Sequence, residues 1–146
     1  MEYPEVRIRL DEGALPPHYA SEQAAGADIH ALLDKPVTIQ PGSRTIIRTG
    51  IYLELPEGFE AQVRPRSGLA FHHGITVLNA PGTIDADYRG EVRVILVHHG
   101  DQPVIIHPGE RIAQMVLQRV ARSIFIPADD ISDTERGSGG FGSTGR

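Results

Sequence analysis

Residues 5–10 read EVRIRL. Val6, Ile8 and Leu10 alternate with Arg7 and Arg9, the two-residue period of a strand with one face buried. The same reading extends outward to PVTIQPG (36–42), RTIIRTGIYLEL (44–55), FEAQVRP (59–65), GITVLN (74–79), EVRVILVHH (91–99), PVIIHPG (103–109) and RIAQMVLQRV (111–120). Sixteen glycines and eleven prolines break the chain between them. Short strands with turn signals at close spacing predict an all-β fold, a sandwich, jelly roll or barrel. The run 111–120 stays open, because Ile112, Met115, Val116 and Val120 also fit a helical stripe. A short helix is expected at Ser67–His72, and residues 78–92 read as a β-hairpin with Asp85, Asp87 and Tyr88 near its tip.

The chain has 146 residues, enough for one domain with a real core. We expect a β-rich core over 1–127 and a flexible C-terminal arm over 128–146, where apolar residues are few and Gly, Ser and Asp abound. With no cysteine there is no disulfide framework and no thiolate chemistry. A net charge of -5 argues against a broad electrostatic grip on nucleic acid, yet leaves room for a small anion held by local arginines. No run approaches a membrane span, and the start lacks a secretory pattern, so the expected address is cytoplasmic.

The arm ends RGSGGFGSTGR (136–146). Gly137, Gly139 and Gly142 fit G-x-G-x-x-G, but no helix can follow within four residues, and Ser143 stands where a P-loop would have lysine. What remains is either a bland tail or a phosphate loop. Glycines let backbone N–H groups converge on phosphate oxygens. Arg136, Ser143 and Thr144 add donors, and Phe141 offers a ring on which a base can stack. The run RPRSGLA (64–70) offers a guanidinium, a hydroxyl and exposed amides for a phosphate chain, or is a proline turn with solvated arginines. The two HHG sites, His72–His73 and His98–His99, read as solvated strand ends.

Taken in chain order, AAGADIHA (24–31), RPRSGLA, GTIDADYRGEV (82–92), GERIAQMVL (109–117) and RGSGGFGSTG (136–145) resemble the five motifs of the dUTPase family (deoxyuridine triphosphate nucleotidohydrolases). The resemblance covers Ala24 to Gly145. It implies a jelly-roll-like β fold with a mobile arm, and a homotrimer whose three sites each draw residues from all three chains. It implies hydrolysis of dUTP to dUMP and diphosphate with Mg²⁺, which limits uracil in DNA and supplies dUMP for dTMP synthesis.

Residue roles follow from the same resemblance. Asp85 is the implied base for a water attacking the α-phosphorus, with Asp87 its rival on spacing alone. Asn79, Thr83, Ile84 and the backbone around them are expected to read uracil, and Tyr88 to pack under the deoxyribose. Arg66, Ser67 and Gly68 hold phosphates, with Gln114 near the α-phosphate. Arg136, Gly142, Ser143 and Thr144 close on the γ end, and Phe141 covers the base. Asp28 touches the metal through water only. Arg64 serves either the ligand or an ion pair. Two other readings of the fold stay open, a dCTP deaminase and a nucleotide-gated binding module.

Overall fold

The computed structural model describes residues 3–145. Met1 and Glu2, which open the expected core, and Arg146, which ends the expected arm, lie outside the described residues. The elements are β1 (Arg7–Leu10), β2 (His18–Tyr19), β3 (Ala27–His30), β4 (Val37–Ile39), β5 (Arg44–Glu54), β6 (Phe59–Arg64), α1 (Ser67–His73), β7 (Ile75–Val77), β8 (Gly82–Ile84), β9 (Glu91–His98), β10 (Val104–Ile106) and β11 (Arg111–Arg119). They form a four-stranded sheet β1-β5-β9-β7, a five-stranded sheet β2-β3-β11-β6-β8 and a pair β10-β4. Every ladder is antiparallel. The fold is all-β and jelly-roll-like, as expected.

Ile47, Ile51, Val94 and Leu96 from the first sheet meet Ile29, Val63, Ile112 and Ala113 from the second in one core, with Ile39 and Ile106 from the pair. Alternation places them there. In β9, Val92, Val94 and Leu96 point inward while Arg93 points out. Burying an aliphatic side chain of this size stabilises the fold by about 1.5–3 kcal/mol.

Strand β1 lies at the edge of its sheet, and only part of the alternation in residues 5–10 is buried. Val6 and Leu10 pack against the core, but Ile8 is 43% exposed. The ambiguous run 111–120 is a strand. It is paired on both sides, Gln114 lying between Arg64 and Asp28. A register shift between Arg111 and Ala113 lets the consecutive Ile112 and Ala113 both turn inward. Of the stripe, Ile112 and Val116 are buried and Met115 packs against the core, while Val120 lies past the strand and is 42% exposed.

Helix α1 starts after the extended Arg66 and ends at Gly74 with φ 66°. A Cβ there would lie 2.5 Å from the Gly100 amide nitrogen, so the left-handed glycine also makes room for a neighbouring turn.

Two expectations are corrected. Residues 78–92 are not a simple hairpin. β8 pairs with β6 of the five-stranded sheet, while β9 pairs with β7 and β5 of the other. Gly82 and Ile84 are buried and Thr83 is exposed, so β8 extends the second sheet and the segment crosses between sheets. His98 is not solvated but 1% exposed. Its Nδ1 accepts from the Gly100 amide at 3.0 Å, which leaves Nε2–H to donate to the Gln102 carbonyl, so the neutral ring is satisfied. His72 and His73 end α1 rather than a strand.

No helix among the described residues is long and apolar enough to cross a membrane. Beyond β11 the described residues form no strand or helix.

Candidate active site

The cross-over between the sheets lines a cleft of about 240 Å³. Asn79, Thr83, Ile84, Asp85 and Tyr88 lie on its wall, together with Gly82, Glu91 and Arg93. Asp87 does not line it. The two rival aspartates therefore part company: Asp85 faces the cleft, and Asp87 is exposed outside it. The Tyr88 amide donates to the Asp85 carbonyl at 3.1 Å, closing a turn that carries both residues. The Tyr88 hydroxyl donates to the Glu91 carbonyl at 3.0 Å.

A second group gathers around Asp28 on β3. Its carboxylate accepts from Arg66 Nε at 3.0 Å and from Arg111 Nη1 at 3.2 Å. Arg66 is thus held in place just before α1, with Ser67 and Gly68 exposed in the first turn and open space beside Gly68. Gln114 Nε2 donates to the Pro65 carbonyl at 3.0 Å, fixing the same turn from β11. Gly26 permits this. An added Cβ would overlap Gln114 Oε1 and lie 3.0 Å from its Cδ. Arg64 points along β6 instead, donating to Gln62 Oε1 at 3.0 and 2.6 Å.

His30 lies on the same strand as Asp28. Its Nδ1 is buried without a partner, and burial, above all, pushes its pKa below the ordinary value. Arg111 and Gly26 are the members of this group that reading for chemistry passed over. Both sit inside motifs already singled out, Arg111 three residues before Gln114 and Gly26 two residues before Asp28.

The third group is the arm. Arg136 Nε donates to the Gly139 carbonyl at 2.9 Å, and successive turns follow at Gly139, Ser143 and Gly145. Phe141 is fully exposed, with φ 50°.

The three groups stay apart in one chain. Register makes this explicit for the first two. Ile84 pairs with Ala61 and Gly82 with Val63, so β8 runs away from Arg66 as it approaches Asp85. Ala61 stands three residues before Arg64, where β6 ends, about 10 Å of strand at about 3.3 Å per residue, and Arg66 lies in the turn beyond. The cleft wall includes neither Arg66 nor Gln114 nor any arm residue.

The family model described as dUTPase matches residues 13–145. The chain belongs to the dUTPase family. It is 56% identical over 141 residues to the deoxyuridine 5'-triphosphate nucleotidohydrolase of Chlamydia pneumoniae, covering 96% of this chain and 97% of that one. It is 52% identical over 137 residues to the enzyme of the same name from Syntrophotalea carbinolica, covering 94% and 93%. Among solved structures, a variant dUTPase of Staphylococcus bacteriophage 80alpha with dUpNHpp shares the fold, with TM-score 0.84 at 22% identity over 97% of this chain and 99% of that one. A dUTPase variant of phage phi11 of S. aureus, described with a structural Mg(II) ion, superposes with TM-score 0.79 at 19% identity over 88% and 99%. The chain is accordingly an enzyme of the dUTP diphosphatase class, and its reaction is dUTP hydrolysis.

Proposed function

We propose that this dUTPase attacks the α-phosphorus with a water oriented by Asp85, and that each site is assembled from neighbouring copies of the chain. The observation that carries the reading is the separation just described. Asp85 lies at one end of the β6/β8 ladder and Arg66 beyond the other end of β6. Within one copy the cleft that holds Asp85 is lined by none of the phosphate-binding candidates Arg66, Gln114 and the arm. A neighbouring copy in a closed ring supplies the missing half by a heterologous contact. Ile124, Phe125 and Ile126 are 81–92% exposed just before the arm, apolar surface suited to packing on a neighbour. A homotrimer, as the family resemblance implies, lets one copy give the cleft, a second the Arg66 turn and a third the arm.

In the attack, the water oxygen bonds to the α-phosphorus, the bond to the bridging oxygen breaks, and diphosphate leaves. Asp85 takes the water's proton. Arg66, the amides after it, and the arm's Arg136, Ser143, Thr144 and glycine amides take up charge on the phosphates. Asn79 and the Thr83–Ile84 backbone read the uracil edge, Phe141 covers the ring, and Gln114 sits near the α-phosphate.

The donor set fits Mg²⁺ carried by the substrate rather than caged by protein. The described residues contain no cluster of three or more His, Cys, Asp or Glu that could hold a metal. Asp28 has each carboxylate oxygen already paired with an arginine, and each keeps a lone pair for a metal-bound water. Asp28 would hold such an ion through water, and the ion would supply neutralisation of phosphate charge. The dUMP released then serves dTMP synthesis, and uracil is kept out of DNA.

Diphosphate release from dUTP, dTTP, dCTP and UTP, each with and without Mg²⁺, tests the substrate reading. We expect release from dUTP with Mg²⁺ and little from the other three. Ammonia release from dCTP would contradict it.

A further inference from the structure

We propose that Gly90 is a positioning residue for sugar selection, acting by leaving room for the Tyr88 ring; the inference rests on the reading of Tyr88 as the wall under the deoxyribose. Gly90 does not adopt a positive φ, so the backbone does not call for glycine here. Space does. A Cβ at Gly90 would overlap the Tyr88 hydroxyl and lie 2.5 Å from Cζ and 2.9 Å from Cε2. The ring therefore lies against the bare Cα of Gly90, with its hydroxyl on the Glu91 carbonyl.

That carbonyl is itself held. Glu91 Oε1 accepts from the Gly50 amide at 3.0 Å and from Arg48 Nε at 3.0 Å, and Arg48 Nη2 also reaches Asp11 at 2.8 Å. These contacts anchor Glu91 to the irregular stretch of β5 between Arg48 and Ile51. The hydrogen bond that Arg48 donates to the Glu91 carboxylate raises the Arg48 pKa above its ordinary value. The wall of the cleft is thus a tyrosine whose tip is pinned by a vacant Cβ position on one side and a fixed acceptor on the other. A wall that excludes one hydroxyl group must hold its place to a fraction of that group's size.

Adding a methyl at Gly90 displaces the ring and costs it the Glu91 acceptor. The expected result for Gly90→Ala is a rise of about tenfold in the ratio of kcat/KM for UTP to that for dUTP, the scale of a steric sieve worth one small group. The effect acts through Tyr88, so it should vanish in a Tyr88→Ala background, where no wall remains. A general loss of structure would lower both substrates together and leave the ratio alone. Should Gly90→Ala fail to fold, Tyr88→Phe removes the same hydrogen bond and should raise the ratio in the same direction.

The arms separate the two ideas. If Tyr88→Ala leaves the ratio unchanged, the sugar-wall reading falls, and the inference with it. If Tyr88→Ala raises the ratio while Gly90→Ala and Tyr88→Phe do not, the inference alone is overturned. If Gly90→Ala raises it equally in both backgrounds, Gly90 does not act through Tyr88, which also overturns it.

Discussion

Replacing Asp85 with asparagine is expected to lower kcat by about 10²–10⁴-fold while leaving assembly and the binding of a non-hydrolysable dUTP analogue largely intact. The amide is nearly the same size, so the cleft keeps its shape. It cannot take the water's proton, and it presents an N–H where the water needs an acceptor. Asp85 sits on the cleft wall beside Thr83 and Tyr88, whereas Asp87 lies outside it. Asp87→Asn should therefore be close to wild type. Turnover and analogue affinity need to be measured on both variants. A normal kcat in Asp85→Asn with a loss in Asp87→Asn would reverse the assignment.

Ending the chain after Glu135 is expected to lower kcat/KM for dUTP sharply, with the β core still folded. Residues 136–145 add no strand to either sheet, and Phe141 is fully exposed. The core thus has no packing to lose. What is lost is the set of donors and the ring that close over the substrate. Fixing such an arm costs roughly 1–2 kcal/mol per residue in backbone entropy, and the glycines place it at the upper end. Only a highly charged ligand offers enough contacts to offset that, so closure is coupled to the triphosphate. Closing the arm expels water and aligns the α-phosphorus with the nucleophile. Phe141→Ala should cost less than the deletion, because the phosphate donors remain. Steady-state kinetics on both variants, with thermal unfolding as a control on the core, checks the expectation. A truncated enzyme with full activity would return the arm to a linker.

Much of this was legible in the residues because strands announce themselves by alternation. Val92, Val94 and Leu96 face inward as their spacing requires. The five polar motifs were legible because each carries an uncommon combination of Gly, Arg, Asp and Gln in a fixed order. What alternation does not encode is the partner. Gly82–Ile84 has the same two-residue period whether it joins β6 or β9, and only the burial of Gly82 against Val63 decides for β6.

Bulges hide in the same way. Ile112 and Ala113 are adjacent and both buried, which strict alternation does not allow and only the register shift explains. His98 looked solvated because a histidine pair at a strand end is polar. Its burial depends on acceptors and donors at Gly100 and Gln102 that no periodicity shows. Gly90 left no trace at all in sequence, since its role is a vacancy filled by a ring two residues earlier.

The claim that each site is shared between copies is tested most directly by mixing two inactive variants. Asp85→Asn keeps Arg66, and Arg66→Ala keeps Asp85. Co-refolded in equal amounts, their subunits combine at random. If each site takes Asp85 from one copy and Arg66 from another, half times half, or about a quarter, of sites are intact in a closed heterologous ring. The expected result is recovery of about a quarter of wild-type dUTP turnover from a mixture of two nearly inactive proteins. No recovery, with trimers containing both variants demonstrated by mass, would place both residues in the same chain's site and contradict the account.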